Sequence, residues 1–184
     1  MVNKLCISTI NKHRFDPTGP TFDDIELDDI AHALSMMTRA NGHLSEFYSV
    51  ARHSINCFYE ARARGYSYKV QLLCLLHDGA EAYIGDMTRP LKIRLPQFSA
   101  YEKNIQKIIF MKYAATDVTA EESEMVKSVD DSLLYHEFLH YHGDKLMDFT
   151  PEIHIDVSDN SKNISETKAE FLSLYKETVE LWKA

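Results

Sequence analysis

The chain is poor in the residues that break backbone regularity. It holds six glycines and five prolines in 184 residues, and no apolar/polar alternation recurs, so a strand-based fold finds little support. Cysteine is scarce too. Cys6, Cys57 and Cys74 are scattered, odd in number and contain no C-x-x-C pair. That argues against a disulfide framework and against a thiolate zinc site, and a reducing, cytoplasmic setting fits. No apolar run approaches the roughly 20 residues that span a bilayer, so no membrane partner is expected. The start, "MVNKLCISTINKHRF", lacks the apolar core and small-residue cleavage site of a secretion signal. Positive charge is also short: 20 Lys and Arg face 28 Asp and Glu, a net charge of -8. A nucleic-acid scaffold would need a basic stripe. Small anionic ligands stay open, because a metal or an arginine can dominate the field of one pocket. Repeats and low-complexity tracts are missing.

What is present reads as one soluble domain with an ordinary apolar content of 45% and charged content of 26%. Residues 1–24, with Pro17, Gly19 and Pro20, read as an irregular N-terminal arm lying across the body. Residues 25–140 form a helical core, and 141–184 a C-terminal segment ending in a helix. The expected architecture is all-α, a bundle of about six helices. The first runs through "IELDDIAHALSMMTRA" and is closed by Asn41-Gly42. The second is "LSEFYSVARHSINCFYEARARG", with Ser45 as its cap. The third, "YKVQLLCLLHDGAEAYI", is apolar nearly all round and should be the buried central helix. A loop from Gly85 to Pro96 follows, with Lys92 and Arg94 on a solvated face. "QFSAYEKNIQKIIFMKYA" is the fourth helix. The fifth starts at Thr119, where Glu122 completes a capping box. "PEIHIDVSDNSKN" is irregular with a short strand-like "EIHIDV", and "SETKAEFLSLYKETVELWKA" is the last helix. Met36 and Met37 read as packing residues.

Chemistry concentrates on three of these helices. His53, the pair His77-Asp78, and Asp130 supply two imidazoles and two carboxylates. That donor set suits one divalent transition metal of borderline hardness and leaves positions open for water or phosphate. An ionisable pair closing a buried apolar run is costly unless paired or metal-bound. Glu81 lies three and four residues beyond the pair, on their helical face, placed to handle a water or a leaving group. Asp86 follows in the loop, within reach of the same pocket.

A competing motif is "HEFLH", His136 to His140, which has the H-E-x-x-H form of zinc proteases. If Asp130 faces a metal, helical geometry turns His136 away by about 120° and His140 by about 80°. The third ligand of the longer protease motif would fall on Leu146, which cannot coordinate. The two histidines therefore read as ordinary helix residues.

"SVARHS", "LLHDGAEAYIGDMTRPLK" and "VKSVDD", with "DIAHALSMMTRANGH" ahead of them, together resemble the HD-domain metal-dependent phosphohydrolases. The resemblance runs from about residue 25 to 140. It points to the branch of bacterial 5'-deoxynucleotidases and phage deoxynucleoside triphosphate hydrolases, dATP hydrolases among them. It implies metal ligands at His53, His77, Asp78 and Asp130, a catalytic Glu81, a phosphate contact at Arg39 and a sugar contact at Asp86. The implied cofactor is Co, Mn, Zn, Fe or Ni, with additional Mg if the substrate is a triphosphate. The implied substrate is a deoxynucleotide, the implied assembly a homo-oligomer (dimer or hexamer), and the setting the cytoplasm, the host's if phage-encoded. Ala40 departs from the aromatic residue that usually follows the arginine in this branch. A non-catalytic nucleotide sensor of the same fold is the rival expectation.

Overall fold

The computed structural model describes residues 5–114 and 117–183. Met1 to Lys4 of the expected arm and the final Ala184 of the expected last helix lie outside them. The described chain is an all-α bundle. Its helices are α1 (Leu27–Met36), α2 (Val50–Ala63), α3 (Tyr68–Leu76), α4 (Glu81–Ile84), α5 (Arg89–Lys92), α6 (Pro96–Tyr113), α7 (Ala120–Tyr141) and α8 (Ile164–Lys183). The only sheet among the described residues is a hairpin of two-residue strands, β1 (Ile7–Ser8) and β2 (Arg14–Phe15).

Helix α3 is the centre, as its all-round apolar sequence requires: Val70 to Leu76 are all buried. It packs along α2, while α7 and α8 each lie against both. Helix α8 also covers α1 and contributes Phe171 and Leu174 to the main core. The N-terminal arm closes one end. Phe15 is fully buried and stacks on Tyr83 with ring centroids 4.0 Å apart. Lys112 of α6 donates to the carbonyls of Phe22 and Ile25, fixing the arm to the bundle.

Several boundaries differ from the sequence expectation, each for a local reason. Helix α1 stops at Met36, and Met36 itself is exposed. Residues 37–50 then form a clasp in which Arg39 N–H donates to Tyr48 C=O at 2.9 Å and Val50 N–H to Met37 C=O at 3.0 Å. Ala40 and Asn41 both sit at φ 51°, the left-handed region that a helix cannot contain. Helix α2 therefore begins late, capped by Ser49, whose Oγ accepts from Arg52 N–H at 3.1 Å, and not by Ser45. The loop after Gly85 contains the extra turn α5, with Pro90 in its first turn. The capping box predicted for α7 is present, Thr119 and Glu122 bonding reciprocally.

"EIHIDV" forms no strand. Ile153, Ile155 and Val157 alternate inward onto a second core cluster, and the segment pairs with no strand among the described residues. Side chains hold this segment instead: His136 bonds Pro151 C=O at 2.8 Å, Tyr141 O–H donates to Val157 C=O at 2.9 Å, and buried Glu60 accepts from His154 N–H at 2.8 Å.

Candidate metal centre

The third predicted helix is interrupted where the chemistry lies. After Leu76 the backbone tightens: Gly79 N–H bonds Leu76 C=O at 2.9 Å and Glu81 N–H bonds Asp78 C=O at 3.0 Å. These three-residue links replace the four-residue links of an α-helix. Two backbone groups released by the change are taken up by one side chain of α6. Gln106 Nε2 donates to Leu76 C=O at 2.7 Å, and Gln106 Oε1 accepts from Ala80 N–H at 3.0 Å. Gly79 permits this approach, since a Cβ there would stand 3.0 Å from Leu76 O and 3.1 Å from Ile109 Cδ1. With about three residues per turn, Asp78 and Glu81 stack one above the other, and both line the same two clefts.

His53 on α2, His77 and Asp78 beyond α3, and Asp130 on α7 converge. His53 Nε2 lies 3.1 Å from Asp130 Oδ1, 3.3 Å from His77 Nε2 and 3.8 Å from Asp78 Oδ2. His77 Nε2 lies 3.3 Å from Asp78 Oδ2 and 3.7 Å from Asp130 Oδ1. Ligands held about 2.1 Å from one ion stand about 3.0–3.4 Å apart in octahedral or tetrahedral geometry. The observed spacings fall around that range. Cys57, one helical turn beyond His53, brings its Sγ to 3.5 Å from His53 Nε2. His53, Cys57, His77 and Asp130 each offer an atom within 4.8 Å of all the others. The cluster could hold a metal ion.

The outer hydrogen bonds bear on that fit. His53 Nδ1 lies 2.9 Å from both oxygens of Glu137, and His77 Nδ1 lies 2.8 Å from Cys74 C=O. Glu137 and Cys74 C=O accept, so each Nδ1 carries a proton, and in the neutral rings each Nε2 presents a lone pair. Two lone pairs then face each other at 3.3 Å among carboxylate oxygens. A proton or a cation must lie between them. Imidazoles pinned through Nδ1 by a carboxylate and a backbone carbonyl are the usual surroundings of metal-bound histidines.

The local field is negative. Burial works against charge on His77, but the Asp78 and Asp130 carboxylates raise its pKa above the ordinary value. Burial and Arg39 also oppose charge on His53, yet contacts with Cys57, Glu137 and Asp130 raise it well above. Burial likewise disfavours the Asp130 anion, and hydrogen bonds from both histidines hold it well below the carboxylate range. A field that retains protons in this way would retain a divalent cation in their place. Cys57 behaves differently: burial pushes its thiol up to about 11. Its Sγ is nonetheless one of the four atoms of the metal-capable group, and a bound cation would favour its thiolate.

Arg39 stands over the cluster, with Nη1 3.4 Å from Asp78 Oδ2 and Nε 3.5 Å from Glu137 Oε2. Glu81 is buried and its Oε2 has no partner. Burial first, then the charges of Asp78 and Asp86, push its carboxyl well above the usual range. Lys92 is not on the solvated face expected of it. Its Nζ reaches Glu102 at 2.6 Å and Glu81 at 4.0 Å. Asp86 lines a cleft of about 780 Å³ together with Arg39, Asp78, Glu81 and Asp130. A second cleft, of about 560 Å³, shares Asp78, Glu81 and Lys92 with the first and is otherwise lined mainly by α6.

The H-E-x-x-H histidines stand apart. His136 bonds Pro151 C=O, and His140 is exposed with its ring against Tyr141. Substituting either with alanine is expected to leave metal content unchanged, as read by elemental analysis of the folded variants; loss of the ion from either would return these residues to the site. The residue of that motif which matters is the one between them. Glu137 is buried and bonded to His53, a role the sequence reading missed. Its signal was the seven-residue step from Asp130, two turns along one face of α7. Cys57 was missed similarly, at four residues from His53 on α2.

An all-α bundle with a His- and Asp-rich candidate metal centre is thus the class of protein that fold and site define. No family model matches the chain. It is similar to the Uncharacterized protein YfdR of Escherichia coli, 40% identical over 96 residues, which is 52% of this chain and 51% of that protein. It is also 40% identical over 88 residues to an uncharacterized protein of Rhodobacter capsulatus, covering 45% and 44% of the two chains. The chain spans about half the length of these curated relatives. No helix among the described residues is long and apolar enough to cross a membrane.

Proposed function

We propose that the chain is an HD-domain metal-dependent phosphohydrolase that hydrolyses the 5'-phosphate or triphosphate of deoxynucleotides. One observation carries the reading: four donor atoms from His53, His77, Asp78 and Asp130 converge while both Nδ1 protons are already committed outward. The order H…HD…D along the chain is the order of the resembled family. The donors admit Co, Mn, Fe, Ni or Zn. When bound, the ion supplies a Lewis acid for the phosphoryl oxygen and lowers the pKa of a water.

The chain's own residues do the rest. Arg39 places a guanidinium at the mouth of the cluster, held by Asp78 and Glu137. There it binds phosphate oxygens and balances the charge that grows on them during transfer. Glu81, with a raised pKa and a free oxygen, exchanges a proton with the attacking water or the leaving oxygen. The 780 Å³ cleft is in the range of small-ligand pockets. Arg39, Arg89, Lys92 and Lys127 give it cations for phosphates, and Met87, Pro90, Leu134 and Phe138 give it apolar walls for a sugar and base. Asp86 lies on this wall, in reach of a sugar hydroxyl. Ala40 lines the cleft where the family's aromatic residue would stand, so base stacking falls to other residues. A dimer or hexamer and a cytoplasmic setting belong to the same reading.

The test is a panel of deoxy- and ribonucleoside mono- and triphosphates with added cobalt, manganese or zinc, and products resolved by chromatography. Metal-dependent release of phosphate or triphosphate from deoxynucleotides is expected, and the product separates the two subclasses. Tight nucleotide binding without turnover under every metal would replace the enzyme with a sensor.

A further inference from the structure

We infer that Glu137 is a positioning residue that couples the metal grip to the anion grip. The inference rests on the proposed site but reaches a residue outside its ligand and catalytic sets. The Glu137 side chain is almost completely shielded from solvent. Three groups meet it. His53 Nδ1–H donates to its oxygens at 2.9 Å, Tyr48 O–H donates to Oε1 at 2.7 Å, and Arg39 Nε pairs with Oε2 at 3.5 Å. Tyr48 is in turn held by Asn56 Nδ2 at 2.8 Å. A buried carboxylate is costly unless its lone pairs are filled, and these donors fill them.

The arrangement has two consequences. Toward the cluster, Glu137 fixes the tautomer and orientation of His53, so that Nε2 faces Asp130 and His77. Toward the cleft, it holds Arg39 by Nε, leaving the terminal nitrogens of the guanidinium to Asp78 and to an incoming anion. Arg39 sits next to Ala40 and Asn41, both at φ 51°, in a clasp rather than on a helix. The clasp fixes the backbone of Arg39, and Glu137 fixes its side chain. One carboxylate thereby sets the separation between the cation and the anion-binding arginine.

Cobalt and inorganic phosphate suffice as probes. Cobalt affinity is measured by competition with a chromophoric chelator, and phosphate affinity from the absorption of the cobalt-loaded protein. E137A should weaken cobalt binding by about 10- to 100-fold. E137Q should hold cobalt nearly as the parent does, because the amide oxygen still accepts from His53. It should weaken phosphate by about two- to tenfold, the effect of freeing one rotamer-rich side chain. In an R39A background, E137Q should change phosphate affinity by less than about twofold, as expected when it acts through Arg39. Parental cobalt affinity in E137A overturns the inference. So does an equal effect of E137Q with and without Arg39, which would make Glu137 a remote charge only. E137Q keeps the side-chain shape and an acceptor for His53, so it tests the coupling if E137A fails to fold. These measurements use no nucleotide. An inactive parent that passes them defeats the enzymatic reading alone, and an active parent that fails them defeats only the coupling.

Discussion

Asp78→Ala should release the bound metal and reduce hydrolysis to background, with His77→Ala close behind. Asp78 touches three partners of the site: His77 Nε2 at 3.3 Å, His53 Nε2 at 3.8 Å and Arg39 Nη1 at 3.4 Å. Its loss takes away one of four donors and one of the two anchors of the arginine. Disturbing a group that merely orients a ligand already costs about 10- to 100-fold in metal affinity, so losing the ligand itself should cost more. The fold should survive. Asp78, Glu81 and Asp86 are like charges close enough for the first and last to push up the pKa of the second, and removing one relieves that crowding. The change also takes a counter-charge from Arg39 and His77, so metal-free Asp78→Ala should still unfold cooperatively, with a thermal midpoint at or below that of the metal-free parent. Elemental analysis, calorimetry and turnover on the same preparation check all three statements. An Asp78→Ala protein with full metal and parental turnover would remove Asp78 from the centre and break the ligand set at its most specific pair.

That His53, His77, Asp78 and Asp130 come together could be read from the sequence, because it depends on residue types and order and on the helices that periodicity supplied. Helix α3 was legible for the same reason: seven consecutive buried residues leave no polar face to confuse it. The boundaries were harder. Nothing local marks the shift to three-residue links after Leu76; Gln106, 26 residues beyond Ala80, stabilises it. Nor does local sequence announce that Arg39 leaves helix α1, since Ala40 is a good helix former held left-handed by the clasp. Glu137 stayed hidden behind the two histidines that flank it. The value of a buried carboxylate depends on what other helices bring to it, and His53 is 84 residues away.

Glu81→Gln should separate binding from chemistry. Glu81 belongs to neither the converging histidine nitrogens nor the carboxylate oxygens that contact them, so its removal should leave metal content at the parental level. The amide preserves the side-chain volume in a buried position and leaves the turn from His77 to Ala80 undisturbed. What it removes is a proton-exchanging group. Burial, together with Asp78 and Asp86, holds the Glu81 carboxyl well above its ordinary range, the direction that suits a carboxyl group exchanging protons in catalysis. A bound cation would draw that pKa back down, and Lys92 at 4.0 Å pulls in the same direction. Loss of the group should lower kcat by about 10²–10⁴. KM should stay level or fall, because one negative charge near the phosphates is gone while Arg39 and the cation remain. The decisive measurement pairs metal analysis with kcat and KM on one folded preparation. A variant that has lost its metal makes Glu81 a ligand and leaves the reaction without its proton-transfer group. A variant with full metal and parental kcat leaves Glu81 a structural acid, and the proton must then pass through another group bordering the clefts, of which Asp86 is the nearest candidate in sequence.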